Sequence, residues 1–321
     1  MRRYSLLLAL LLLAAACGGD STATTSATAD ITTTTAGETT TTGDAGFPVT
    51  IEAANGAIEI VEKPVAIISL SPTATEMLFA IGAGDQVIAV DEFSNYPEEA
   101  PTTDLSGYEP NVEAIAALNP DLVVVSDDLN DIVAALTAIH VPVIHHPPAV
   151  TLEDTYTQIE QLGEATGNSS AAAEVVGSMQ SDVEALVDSA GQIGEARTYY
   201  YELDATLFSV TSETFIGQVY TLVGLENIAD AAGGAESGYP QLSAEYIIDA
   251  DPDLIFLADT KCCGETPDTV AARPGWDQLT AVANQSVIPL DDDIASRWGP
   301  RVVDLLSQIV EAVLALEGST P

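Results

Sequence analysis

Side chains able to stack, hydrogen-bond or ligate gather just after apolar, strand-like runs. They are Phe93 and Tyr96, Tyr108, Asp127 and Asp128, His145 and His146, Tyr239, Asp259 with Cys262 and Cys263, and Arg297 with Trp298. In open α/β sheets ligands sit beyond the carboxyl ends of the strands, so these loops are where a small molecule would be held. Aromatics in loops on two facing walls suit a large flat ligand. Catalytic chemistry is poorly served. The three histidines are His140, within or ending a helix, and the adjacent pair His145-His146. Neighbours on a strand point to opposite sides, so the pair cannot both face one site. A zinc or manganese centre wants about three converging His or carboxylate ligands. Gly82-Ala83-Gly84 lacks the third glycine of the dinucleotide fingerprint, and Asp291-Asp292-Asp293 lacks the spacing of a calcium loop. We therefore expect no catalytic residue, no metal centre and no cofactor. Cys262-Cys263, next to Gly264, is compatible with a vicinal disulfide in an oxidising compartment, with two reduced thiols, or with a soft-metal clip. A rival reading from another class, an extracytoplasmic metal-binding enzyme or metallochaperone, would use His145 or His146 and the Cys262-Cys263 loop.

The elements that must position these residues are announced by a phrase the chain says twice. Residues 111–128 read NVEAIAALNPDLVVVSDD and residues 243–259 read SAEYIIDADPDLIFLAD, so Glu113 maps onto Glu245 and Pro120-Asp121-Leu122 onto Pro252-Asp253-Leu254. Each copy opens on a polar residue suited to N-capping (Asn111, Ser243), places an acid two positions later, runs a short helix, and turns into a β-branched or apolar strand. A second echo links 77–85, MLFAIGAGD, with 219–227, VYTLVGLEN, and Gly107-Tyr108 returns as Gly238-Tyr239. Between the copies, Ala172, Val175, Val176, Met179, Val183, Leu186 and Val187 keep to one helical stripe over 169–189, with no breaker before Gly191. The pattern predicts two similar Rossmann-like α/β lobes with largely parallel sheets, joined by a single long connecting helix, with a ligand cleft between the lobes. Before the first lobe, 47–61 reads as a hairpin turning at Asn55-Gly56. The lobe itself should contain strands at 65–70, 86–90 and 141–145, and helices ending at Gly82, spanning about 130–139, and opening at the capping-box-like Thr151-Leu152-Glu153-Asp154. The second lobe restarts with a strand at 198–203, and the last helix covers about 300–316.

Not all 321 residues belong to that body. Residues 1–16 carry Arg2 and Arg3, an apolar run, and Ala14-Ala15-Ala16 before Cys17, which is an export signal too short to span a membrane. Residues 17–46 are rich in Thr, Ala, Ser, Gly and acid and cannot bury a core, so they should form a tether reaching roughly 30 Å as a coil. The remaining segments are an N-terminal lobe (47–167), the connecting helix (168–192) and a C-terminal lobe (193–317). The net charge is −41, and removing Arg2 and Arg3 gives −43. So acidic a surface repels nucleic acid. Adaptation to a salty habitat explains it more simply than a specific cationic partner.

IISLSPTATEMLFAIGAGDQVIAVDEFSNYPEEAP, followed by NVEAIAALNPDLVVV, resembles the signature of the class III substrate-binding proteins of ABC importers, which capture vitamin B12, ferric siderophores and haem. The resemblance runs from about Lys63 to Leu316, and its first-lobe wording looks most like the B12 branch. The small residues before Cys17 resemble a lipobox, which implies a bacterial lipoprotein anchored to the outer face of the cell membrane through lipidated Cys17; an ordinary signal peptide with an incidental Cys is the alternative. The family's fold is two α/β lobes joined by one rigid helix. The resemblance implies that Glu113 and Glu245 dock onto a permease dimer, although an acid in the first turn also stabilises a helix with no partner. It places Phe93 and Tyr239 at ligand-contacting positions and Arg297 just before the terminal Gly-Pro-Arg. With the other loop residues this gives Phe93, Tyr96, Tyr108, Asp128, His146, Tyr239, Arg297 and Trp298 as the expected ligand set. An anionic ferric siderophore favours several arginines in its cleft, and the mature chain has only Arg197, Arg273, Arg297 and Arg301. A bulky, near-neutral corrinoid asks for aromatic walls and a few hydrogen bonds, so a cobalamin-type ligand is favoured, a ferric siderophore next, and haem third. The expected partners are the permease, the chelate and the membrane, with the protein acting as a monomer.

Overall fold

The computed structural model describes residues 46–191 and 197–318. The leader, Cys17 and most of the Thr-rich segment lie outside the described residues. The body opens with an antiparallel hairpin, β1 (Val49–Ala53) and β2 (Gly56–Ile60), paired from Val49 opposite Ile60 to Ala53 opposite Gly56. The first lobe follows as β3 (Ile67–Leu70), α1 (Pro72–Ala80), β4 (Val87–Asp91), β5 (Thr102–Leu105), α2 (Val112–Ala117), β6 (Leu122–Val125), α3 (Ile132–Ala138), β7 (Val143–His145) and α4 (Leu152–Thr166). After α5 (Ser169–Ala190) comes the second lobe. It consists of β8 (Arg197–Glu202), α6 (Phe215–Thr221), β9 (Leu225–Asn227), α7 (Ala244–Ala250), β10 (Leu254–Leu257), α8 (Pro267–Ala271), α9 (Thr280–Ala283), β11 (Val287–Pro289), α10 (Asp292–Ser296) and α11 (Val302–Gly318).

The sheet orders show how the repeated phrase is used. The first sheet is β5-β4-β3-β6-β7 and the second is β9-β8-β10-β11, all parallel. Four strands therefore recur in one order, with the strands of the repeated phrase, β6 and β10, in matching places. Both are apolar throughout (LVVV and LIFL) and buried at every residue, as strands covered on both faces must be. The helices before them carry the anticipated caps: Asn111 accepts the Ala114 N–H at 3.0 Å, and Ser243 accepts the Tyr246 N–H at 3.1 Å. The Asp of each Pro-Asp-Leu then ties its strand to the neighbour. Asp121 accepts the Val65 N–H and Asp253 the Thr198 N–H.

Three strands, β5, β9 and β11, have no counterpart in the sequence expectations. Of these, β5 lies between the loop residues Tyr96 and Tyr108; its sequence TTDL is polar and its residues are exposed or half-buried, so it carries none of the apolar signal of its neighbours. Elsewhere the elements lie close to the expected places. Thr151 and Asp154 form a reciprocal capping box at the start of α4, and α1 ends against Gly82.

The helix α5 leads from the first sheet to the second. Its 22 residues give it a length of about 33 Å. Ala172, Val176 and Met179 are buried and Val175, Val183, Leu186 and Val187 are partly buried, against α4 and α11. The start of this rod is set by Gly163 in α4: a β-carbon there would collide with that of Ala172, so only a glycine lets the two helices approach so closely.

The hairpin is fastened to β7. Asn55 donates through Nδ2 to the Val143 carbonyl at 2.9 Å and accepts the His145 N–H at 3.1 Å, while the Ala54 N–H donates to the His145 carbonyl at 3.3 Å.

Candidate ligand cleft

The carboxyl ends of the first-lobe strands face α10 and the residues after it across a cleft of about 350 Å³. The first lobe supplies Ser71, Pro72 and Thr73 from the turn into α1, Phe93, Tyr108, Ser126, Asp127 and Pro148; the second supplies Asp293, Ser296, Arg297 and Trp298. Several wall residues are held by local devices. Ser71 caps α1 through its hydroxyl. The buried Thr75 hydroxyl bonds Ser69 and Ser94, both at 2.9 Å, which fixes the turn after β4 against α1. In that turn Asp91 accepts the N–H groups of Phe93 and Ser94 at 3.1 and 2.8 Å, and burial raises its carboxyl above the usual range despite those bonds. Phe93 therefore projects from a braced turn, half exposed. Tyr108 meets it edge to face, with ring centroids 5.6 Å apart. Their approach depends on Gly107, where a β-carbon would lie 2.7 Å from the Leu70 carbonyl oxygen.

The opposite wall is charged, but every charge is committed. Arg297, 9% exposed, donates to Glu76 at 2.8 Å, to Asp293 at 2.7 Å and to the Phe93 carbonyl at 3.0 Å. Glu76, on α1 in the first lobe and 3% exposed, also accepts from Arg301 in a two-pronged pair. Trp298 donates its indole N–H to Gln158 at 3.0 Å, and its carbonyl accepts the Thr155 hydroxyl at 2.9 Å. The segment 297–301 is thereby bound to the first lobe at its head and at its tail. Stripping Glu76 from its two arginines would leave buried charge unpaired, at a cost on the order of 3–5 kcal/mol. Burial alone would raise the Asp293 carboxyl, but bonds to Lys261 and Asn95 and the charge of Arg297 hold it below the ordinary range.

Of the sequence-derived set, Phe93, Tyr108, Arg297 and Trp298 meet at this cleft. The others go elsewhere. Tyr96 lies beneath the Arg301 guanidinium, 4.1 Å from its ring centroid. Asp128 accepts the Val133 N–H at 2.9 Å at the start of α3, and its neighbour Asp127 faces the cleft instead. His146 is buried against Gln161 at 2.8 Å; burial, with His145 adding to it, lowers its pKa to about 4 although the Gln161 bond opposes the shift. His145 contacts the Ser126 carbonyl at 3.2 Å. Tyr239 stands half exposed on the second lobe, outside the cleft lining. Sequence reasoning missed Glu76, and with it the fact that Arg297 is occupied.

Cys262 and Cys263 are joined in a disulfide in the exposed loop after β10. Asp292 of α10 accepts the Lys261 and Cys262 N–H groups at 3.0 and 2.8 Å and the Thr260 hydroxyl at 2.9 Å, so this loop is bonded to the helix that walls the cleft. Below it Asp259 is fully buried with no hydrogen-bond partner on either carboxylate oxygen. Burial first, and the charges of Glu202 and Glu265 second, push its pKa up to about 7. Among the described residues no three His, Cys, Asp or Glu side chains converge as metal ligands, and no helix is long and apolar enough to cross a membrane.

Glu113 and Glu245 are both exposed in the first turns of α2 and α7.

Comparison with known proteins places the chain in one family. The model of the periplasmic binding protein family matches residues 67–294. An uncharacterized ABC transporter substrate-binding lipoprotein of Bacillus subtilis, YvrC, is 30% identical over 277 residues, covering 83% of this chain and 86% of its own. A cobalamin-binding protein of Halobacterium salinarum is 30% identical over 276 residues, covering 83% and 74%. Among solved structures, the periplasmic vitamin B12 binding protein BtuF of Vibrio cholerae matches with a TM-score of 0.64 at 25% identity, covering 79% of this chain and 98% of that one.

Proposed function

Because the chain belongs to the periplasmic binding protein family, we propose that it is the extracytoplasmic substrate-binding lipoprotein of an ABC importer. It takes a metal chelate, a cobalamin-type corrinoid before a ferric siderophore, into the interlobe cleft and delivers it to a permease dimer. The observation that carries the choice of ligand is the saturation of Arg297. All four arginines among the described residues are ion-paired, and the one that lines the cleft already serves three acceptors. A polyanionic chelate finds no uncommitted cation there, whereas a large near-neutral ring finds Phe93, Tyr108 and Trp298 with hydroxyl groups between them. The names of the Halobacterium and Vibrio relatives support the same choice.

In this reading Glu113 and Glu245 are the permease contacts, one per lobe, and lipidated Cys17 holds a monomer at the outer face of the membrane. The chain is a carrier and performs no reaction.

Fluorescence titration tests the ligand. Trp276 is buried in the second lobe beside Arg273, whereas Trp298 lines the cleft, so quenching by a bound chromophore should report chiefly on Trp298. Cyanocobalamin, a ferric hydroxamate, a ferric catecholate and haem are titrated in parallel. Saturable quenching by the corrinoid at the lowest concentration supports the reading; tighter binding of the ferric catecholate overturns it.

A further inference from the structure

The arginines of the cleft belong to a longer alternating series. Arg301 pairs with Glu76, Glu76 with Arg297, Arg297 with Asp293, Asp293 with Lys261 and Lys261 with Asp291, each through an N–O contact of 2.9 Å or less. Three cations face three carboxylates, so the series is neutral as a whole. Its most buried carboxylate is Glu76, 2% exposed at the side chain, against 22% for Asp293 and 34% for Asp291. Glu76 is absent from the cleft lining, yet it holds Arg297, which is part of that lining. Removing the Glu76 charge would leave the series with one net positive charge and take from Arg297 its most buried acceptor.

We propose that Glu76 is the specificity-determining residue for ligand charge: acting through Arg297, it keeps the guanidinium that lines the cleft committed to the wall and so disfavours anionic ferric chelates. This deepens the chelate-binding reading above and rests on it. A residue that merely strapped the lobes together would, when changed, weaken the binding of every ligand. A residue that masks a cation would, when changed, strengthen the binding of anions, because a guanidinium freed in a partly desolvated cleft bonds charged oxygens strongly.

The test compares wild type, Glu76→Gln, Asp293→Asn and the double variant Glu76→Gln with Arg297→Gln. Each is titrated with a trianionic ferric tris-catecholate and with cyanocobalamin, at low and high salt, after near-ultraviolet circular dichroism has verified the fold. Glu76→Gln should raise affinity for the anionic chelate by at least about tenfold, the equivalent of one charged hydrogen bond. The gain should shrink at high salt and vanish in the double variant, while cobalamin affinity does not rise. No gain in a folded Glu76→Gln protein, or a gain that survives loss of Arg297, overturns the proposal. If Glu76→Gln does not fold, Asp293→Asn is compared with Asp293→Asn combined with Arg297→Gln: because Asp293 itself lines the cleft, only an anion gain that disappears with Arg297 supports the proposal, and a gain that survives overturns it. The difference between variant and wild type judges this inference. Whether wild type binds cobalamin at all judges the ligand reading separately.

Discussion

Asp121 and Asp253 occupy equivalent turns in the two lobes, and each carboxylate accepts a backbone N–H at or just before the start of its lobe's first strand: Val65 at 3.0 Å and Thr198 at 2.9 Å. The second copy is the richer, since Asp253 also accepts the Thr198 hydroxyl at 3.1 Å and lies 3.5 Å from Arg197. Asp253→Ala should therefore lower stability by about 1–3 kcal/mol and the exposed Asp121→Ala by less than about 1 kcal/mol. Urea midpoints at neutral pH measure both; an equal loss at the two sites would contradict the asymmetry.

The docking proposal separates uptake from binding. Glu113→Lys and Glu245→Lys together should abolish uptake of the chelate by cells carrying the permease and leave the affinity of the purified protein unchanged, because both side chains are exposed on first turns away from the cleft lining. Loss of affinity in the double variant would refute the assignment.

His146 makes the fold sensitive to acid. Its pKa is lowered to about 4 by burial, so between about pH 6.5 and 4 the unfolded chain binds a proton that the native protein does not. Its contribution is complete above pH 6.5 and disappears as pH falls to 4, by up to about 3 kcal/mol. Imidazole proton resonances followed by NMR should show one histidine still neutral at pH 5; titration of all three near pH 6.5 would rule this out.

Asp259 acts in the opposite sense. Its pKa is raised to about 7, so from about pH 4 to 7 the native protein holds a proton that the unfolded chain has lost, and stability falls as pH rises. Asp259→Asn keeps the shape and removes the charge, so its advantage over wild type should grow between pH 5 and pH 8. Denaturation midpoints for both proteins at the two pH values measure this, and a constant difference would show that Asp259 does not titrate in that window.

Gly163→Ala tests the seat of the connecting helix. In an exposed helix the change would stabilise by about 1 kcal/mol. Against Ala172 it should destabilise by about 1–3 kcal/mol, because the two helices must separate to admit the methyl group. A raised melting temperature would show that α4 and α5 can part freely.

The repeat, the caps at Asn111 and Ser243 and the stripe on α5 were legible because each follows from a local period or a single side-chain bond. Four of the cleft residues were legible because aromatics and Arg297 stand out beyond strand ends. What stayed hidden was pairing over distance. Glu76 is the one charged residue of α1, and its partners lie 221 and 225 residues away. Nothing local to SPTATEML announces them. The choice of Asp127 over Asp128 depends on how the backbone turns after β6, which a pair of identical side chains cannot reveal. The same holds at His145-His146, where alternation requires the two rings to diverge but does not say that His146 turns inward to Gln161.

The hairpin at the start of the body has a consequence beyond its own two strands. β7 ends its sheet, and a terminal strand offers its backbone groups to any extended chain, including another copy of the same protein. Ala54 and the two ends of the Asn55 amide take up groups on Val143 and His145. A turn here takes up backbone groups of β7 that a further strand would otherwise pair with, so part of the sheet's edge is covered by the chain's own hairpin.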